Sequence, residues 1–154
     1  AYALGWEYYH TGHYSKAIQT WEDAWWWCKD MPAGPARVLA DRTVGELARM
    51  HSRIGGFERL GELLEEVKDR RLDGPATERI AAARQAHWLM HHRPEISFRC
   101  GPLALNSILN HTRERKGVER RVLESASTQQ GFSLEQVHKL SQDLDMGLLM
   151  ARRQ

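Results

Sequence analysis

Residues Leu4 to Trp25 read "LGWEYYHTGHYSKAIQTWEDAW", and their spacing decides the fold class of the first half of the chain. Apolar residues fall into two helical sets separated by "HTGHYS". In the first set Leu4 and Tyr8 share one side, while Tyr2, Trp6 and Tyr9 lie on another. In the second set Ala17, Trp21, Ala24 and Cys28 recur at intervals of four, three and four, which is one face of a helix. Gly12 marks the turn between them, and Ser15 is the expected N-cap of the second helix. Small Ala17 and Ala24 on either side of large Trp21 suit close helix packing. The segment is therefore read as an antiparallel helix pair.

A further unit follows. "VGELARMHSRIGGFERLGELLEEVKDRR", residues 44–71, repeats the scheme of helix, glycine turn, aromatic and helix through Leu47, Ala48, Gly55, Phe57, Leu60, Leu64 and Val67. "PATERIAAARQAHWLMHH", residues 75–92, reads as one more helix, with Pro75 near its start and Thr77 as its cap. Trp25, Trp26 and Trp27 in "AWWWCKD" point in three directions around a helix, so one neighbour cannot bury all three. At least one is expected to cover an adjoining helix or a partner. "GELLEEVKDRR" has acid-to-base pairs at helical spacing and reads as a solvated face.

The first stretch resembles a tetratricopeptide repeat on Leu4, Gly5, Tyr8, Gly12, Tyr14, Ala17, Trp21 and Ala24, and the second is a weaker copy with Leu60 where that family prefers alanine. Pro32 and Pro35 stand near the proline that closes such repeats. The resemblance implies a surface that binds a polypeptide or protein partner along the first helices, with Tyr2, Trp6, Tyr9 and His10 facing it. Packing against neighbouring helices is the alternative reading of those side chains.

The second half turns on Cys100. Pro94 is expected to end the preceding helix, "ISF" (residues 96–98) reads as extended, and "RCGPLALNSIL" (residues 99–109) begins a helix with Pro102 in its first turn. Leu105, Ile108 and Leu109 form its apolar stripe. A cysteine at a helix start meets unpaired N–H groups and the helix dipole, which favour a thiolate. Those N–H groups can also stabilise an oxyanion. The plain alternative is a small buried side chain.

This segment resembles the nucleophile region of papain-like cysteine peptidases, especially the bacterial hydrolases that trim double-glycine leaders from bacteriocin precursors. Residues 131–152, "GFSLEQVHKLSQDLDMGLLMAR", resemble that family's next helix and the lead into its sheet. Ser133 and Gln136 are expected to form a capping box. Leu134, Val137, Leu140 and Leu144 supply the apolar face, Ser141 falls off it, and "GLLMAR" begins a strand. The resemblance implies Cys100 as the catalytic nucleophile. The glutamine that the family carries shortly before the cysteine is missing, and Pro94 stands near its place. The family's catalytic histidine lies beyond the part represented here. His111 sits about 15 Å along the helix at roughly 1.5 Å per residue, and His138 lies where the family keeps no base. The chain as given is expected to be a fragment without peptidase competence.

The expected fold is thus mainly α, with tetratricopeptide-like hairpins over residues 1–90 and an incomplete papain-like α+β segment over residues 93–154. Composition agrees with folded protein: of 154 residues 42% are hydrophobic and 27% charged, with 22 Lys and Arg against 20 Asp and Glu. A net charge of +2 with interleaved signs gives no case for nucleic acid, although "RRLDGPATER" and "ARRQ" are locally basic. No stretch reaches the roughly 20 apolar residues of a membrane span. Two cysteines, Cys28 and Cys100, make neither a disulfide framework nor a metal pair. His87 and His91 are four apart, but a metal site needs a third ligand, so no metal or cofactor is expected. Three functional readings follow: a repeat protein that recognises polypeptides and cleaves them through Cys100 in a longer parent, a non-catalytic interaction module with a helical cap, and a degenerate peptidase domain retained for peptide binding.

Overall fold

The computed structural model describes residues 1–112 and 117–151. They are mainly helical, and the chain divides into two compact units, residues 1–88 and 89–154. Among the described residues no strand forms; the β-type pairing present is an isolated bridge between Thr128 and Gly131.

The first unit contains α1 (Tyr2–His10), α2 (Tyr14–Cys28), α3 (Pro35–Ile54), α4 (Phe57–Glu66) and most of α5 (Pro75–His92). Consecutive helices pack against each other, α1 on α2, α2 on α3 and α3 on α4. This is a helical-repeat arrangement. Ala17, Trp21 and Ala24 of α2 are buried, as their spacing requires. A Cβ at Gly5 would stand 2.2 Å from Trp21 Nε1, so the missing side chain is what lets the indole lie on α1. That indole donates to the Tyr2 carbonyl at 3.1 Å, which satisfies its N–H inside the core. In the second pair, where α3 packs on α4, Val44, Leu47, Ala48, Leu60, Leu63 and Val67 are all fully or almost fully buried.

Turns follow the backbone freedom of glycine. Gly12 (φ +78°) and Gly55 (φ +73°) take the left-handed conformation that ends α1 and α3 without a Cβ penalty. Ser15 is not the cap of α2: the helix already begins at Tyr14 after His13, and no side chain caps it. Thr77 is not a cap either. It lies inside α5 and its hydroxyl donates to the Leu72 carbonyl. Pro35 opens α3 rather than closing α2.

The tryptophan triplet separates as the helical period demands. Trp25 is buried and donates to Glu66 Oε2 at 2.8 Å, whereas Trp26 and Trp27 are 69% and 75% exposed. The presumed solvated face of α4 is more than that. Arg59 grips both oxygens of Glu22 on α2 at 2.9 and 2.7 Å and also reaches Glu62 and Glu66.

The second unit contains α6 (Pro94–Ser97), α7 (Cys100–Thr112), α8 (Arg120–Glu124) and α9 (Leu134–Asp143). Leu105, Leu109, Val122 and Leu144 form its core, with Val137, Leu140 and Met146 packed against them. Ile96 and Ser97 are not extended but belong to the single turn of α6. The capping box is present: Gln136 N donates to Ser133 Oγ and Ser133 N to Gln136 Oε1. Of the expected inward face of α9, Val137, Leu140 and Leu144 lie on this core, but Leu134 does not. Leu134 is 64% exposed, and Ser141 is buried with its hydroxyl donating to the His138 carbonyl. That local bond lets a serine occupy an interior position without an orphaned donor. Residues 147–151 form no strand, because no described segment pairs with their backbone. Arg152 of the expected strand and most of "ARRQ" lie outside the described residues.

Candidate functional site: a three-helix face on the first unit

Three stripes at helical spacing build this face, one each from α1, α3 and α5. On α1 the stripe is Tyr2, Trp6 and Tyr9, followed by His10. On α3 it is Arg42, Glu46, Arg49 and Arg53. On α5 it is Arg79, Ala82 and Ala86. The first stripe is aromatic, the second charged and the third mostly small.

Glu46 ties the three helices together. Its side chain is fully buried, yet it accepts from Tyr2 Oη at 3.3 Å and pairs with Arg79 Nη1 at 2.8 Å and Arg49 Nη2 at 3.0 Å. A lone buried carboxylate would be costly, so two guanidinium partners are the condition for its presence. Close approach of the helices makes this reach feasible. At Gly45 a Cβ would stand 3.3 Å from the Ala76 backbone of α5. Lower down, Phe57 stacks on His87 with ring centroids 4.4 Å apart.

Arg49 has a second set of neighbours. Its guanidinium lies 5.1 Å from the Trp6 ring and 5.2 Å from the Tyr9 ring. Trp6 also stacks on His10 and meets Trp21 edge-on. Arg53 donates from Nη1 to the Tyr9 hydroxyl. Tyr2, Trp6 and Tyr9 are therefore half-buried, with part of each aromatic surface used inside the chain, and His10 is exposed. The four expected partner-binding residues share α1 and adjoin the arginines of α3. Sequence reasoning did not single out Glu46, Arg49, Arg53 or Arg79. For Glu46, Arg49 and Arg53 the signal was the interval of three, four and seven along α3, hidden among ordinary surface charges, and Arg79 on α5 carried no such signal.

Between α3 and α5 lies a cavity of about 370 Å³, lined by Arg49, Ser52, Arg53, Glu78, Arg79, Ala82, Ala83 and Ala86. Alanines on α5 leave space that larger side chains would fill. A second hollow of about 410 Å³, near the α2–α3 connection, is lined by four basic and four acidic side chains. Its charges cancel, and it offers no directed chemistry.

Behind the face, Glu22 joins the Arg59 network and stands 3.6 Å from His51 Nε2. Burial pushes the Glu22 carboxyl up, but the His51 ring and the Arg59 guanidinium outweigh it and hold the group at about 2. Glu66 is also lowered: burial opposes the shift, while the Trp25 N–H and Arg59 favour the charged form. These groups brace α2 against α4 rather than line the cavity.

In the second unit Cys100 is the first residue of α7 and is exposed. The Arg99 carbonyl accepts the first helical hydrogen bond from Leu103 N at 2.9 Å. The Cys100 thiol makes no hydrogen bond among the described residues. His111 lies in the last turn of α7, and His138 on α9 is bonded to Gln142 through Nε2 at 3.1 Å. Among the described residues no group of three or more His, Cys, Asp or Glu could hold a metal ion, and no helix is long and apolar enough to cross a membrane.

No protein-family profile, curated protein or solved structure matches the chain.

Proposed function

We propose that the first unit is a polypeptide-binding module of tetratricopeptide type and that the face of α1, α3 and α5 receives the ligand. The observation that carries this reading is the juxtaposition on one face of aromatic side chains, arginines and an alanine-lined cavity of about 370 Å³. Aromatics and arginines are the side chains that most often anchor protein contacts. The resemblance of residues 4–25 to that repeat adds the expectation that the first helix of each pair faces the ligand. Glu22 and Glu66, which do not line this cavity, are already paired with Arg59.

Titration of the ¹⁵N-labelled chain with pooled dodecapeptides tests this. Amide shifts should concentrate on α1, α3 and α5. Shifts confined to α2 and α4, or none at saturating peptide, would sink the proposal.

A second reading, a papain-like ancestry with Cys100 as nucleophile, is favoured by one observation, the exposed thiol at the first position of a 13-residue helix. Against it stands the lack of a hydrogen-bonded base, so the reading is a reactive cysteine rather than a competent peptidase. In Cys28→Ser protein, iodoacetamide at pH 6 should alkylate Cys100 at least tenfold faster than the urea-unfolded chain. Equal rates would remove the second reading. Peptide binding that persists in Cys100→Ala would show that recognition does not depend on the thiol.

A further inference from the structure

We infer that the cavity between α3 and α5 selects an acidic–aliphatic peptide segment, seating an aliphatic side chain against Ala82, Ala83 and Ala86 while a neighbouring carboxylate pairs with Arg53. The inference rests on the groove reading above and narrows it to one ligand chemistry.

Size and lining give the aliphatic half. On the α5 side Ala82, Ala83 and Ala86 present methyl groups beyond Glu78 and Arg79, and the one donor of the Ser52 hydroxyl is committed to the Ala48 carbonyl at 2.7 Å. A polar side chain seated against those three alanines would lose water without gaining a bond from them, whereas an aliphatic one loses only exposed apolar surface.

Charge gives the acidic half. Around the cavity stand three arginines, Arg49, Arg53 and Arg79, against two carboxylates, Glu46 and Glu78. One positive charge is left over, and Arg42 adds another further along the same stripe of α3. The partners show which arginine is available. Arg49 and Arg79 both converge on the buried Glu46. Arg53 is exposed, makes no ion pair among the described residues, and is oriented by the Tyr9 hydroxyl. A guanidinium held by one neutral partner keeps other N–H donors for a carboxylate, and paired geometry makes such bonds strong. Tyr9 thereby acquires a role different from a hydrophobic anchor: it aims Arg53.

The test compares two fluorescein-labelled dodecapeptides in a Gly-Ser background, one with a central Leu-Glu-Leu-Glu block and one with Leu-Gln-Leu-Gln, by anisotropy in 50 mM salt. The acidic peptide should bind at least tenfold more tightly, with the advantage shrinking in 500 mM salt. Arg53→Gln should bring the two affinities together, because its side chain is exposed and its loss leaves the core intact. Ala82→Leu, also at an exposed position, should fill the cavity and weaken both peptides about equally. Thermal melts of both variants serve as the control for folding. Equal affinities of the two peptides for the parent chain, with both weakened by Ala82→Leu, would overturn the acidic preference yet leave the groove reading standing. Binding of neither peptide, while pooled dodecapeptides still shift α1, α3 and α5, would overturn this ligand chemistry alone. Failure of the pooled peptides as well would remove both.

Discussion

At the scale of single residues, one position of the first unit is set by close packing and another by buried charge. Gly5 lies under the Trp21 indole, where a Cβ would meet Nε1 at 2.2 Å. Replacing glycine by alanine inside a helix ordinarily gains about 0.5–1 kcal/mol, while forcing an extra carbon into a packed core costs about 1–3 kcal/mol. Steric cost wins here, because the obstacle is a rigid, fully buried ring. Gly5→Ala should therefore lower the melting temperature, and a rise would mean that α1 can slide off Trp21. Glu46 is the second such position. Glu46→Gln leaves Arg49 and Arg79 facing a neutral group, and breaking a buried pair costs on the order of 3 kcal/mol. Urea unfolding should show that loss. The same substitution should also disturb peptide binding, because Glu46 fixes two arginines of the candidate face.

At the scale of elements, α9 shows local signals and packing dividing the work. Its start was legible because a capping box needs only residues three apart, Ser133 and Gln136, and both bonds form. Ser133→Ala should cost about 1 kcal/mol, read as faster amide exchange in the first turn of α9. Unchanged exchange there would mean that tertiary packing alone holds the helix start. Its inward face was less legible. Periodicity ranked Leu134 above Ser141, but the structure buries Ser141 and leaves Leu134 in solvent. A hydroxyl can bond to its own helix, so polarity at one position does not fix which way that position points. The expected extended stretch at residues 96–98 failed for a related reason. Pro94 follows the end of α5 and opens the turn of α6, and a proline is compatible with both roles.

At the scale of the whole molecule, the Glu22–Arg59–Glu66 network makes stability depend on pH in the acid range. The folded Glu22 carboxyl sits at about 2, below the roughly 4.3 of an unperturbed glutamate. The unfolded chain therefore binds its proton first as pH falls. Stability from this group is fully present above about pH 4.3 and is lost progressively as pH drops toward 2. Glu66 shifts in the same direction and adds to the effect. Melting temperatures measured between pH 5 and pH 2 should fall steeply, and Glu22→Gln should flatten the slope. An unchanged slope in that variant would assign acid unfolding to other carboxylates.

The sequence by itself determined that the chain is mainly α, that helix pairs meet at Gly12 and Gly55, that Ala17, Trp21 and Ala24 face inward, and that Cys100 begins a helix. These follow from the helical period, from glycine's access to positive φ and from proline's place in a first turn, all of which act within a few residues. Only the tertiary structure decided which charged residues matter. The bond between Tyr2 and Glu46 spans 44 positions and that between Arg59 and Glu22 spans 37, and no local pattern marks the partners of such pairs. The same limit hid the cavity between α3 and α5. A run of alanines reads as helix propensity until another helix stands opposite, and only then do the missing side chains become a space that a ligand can enter.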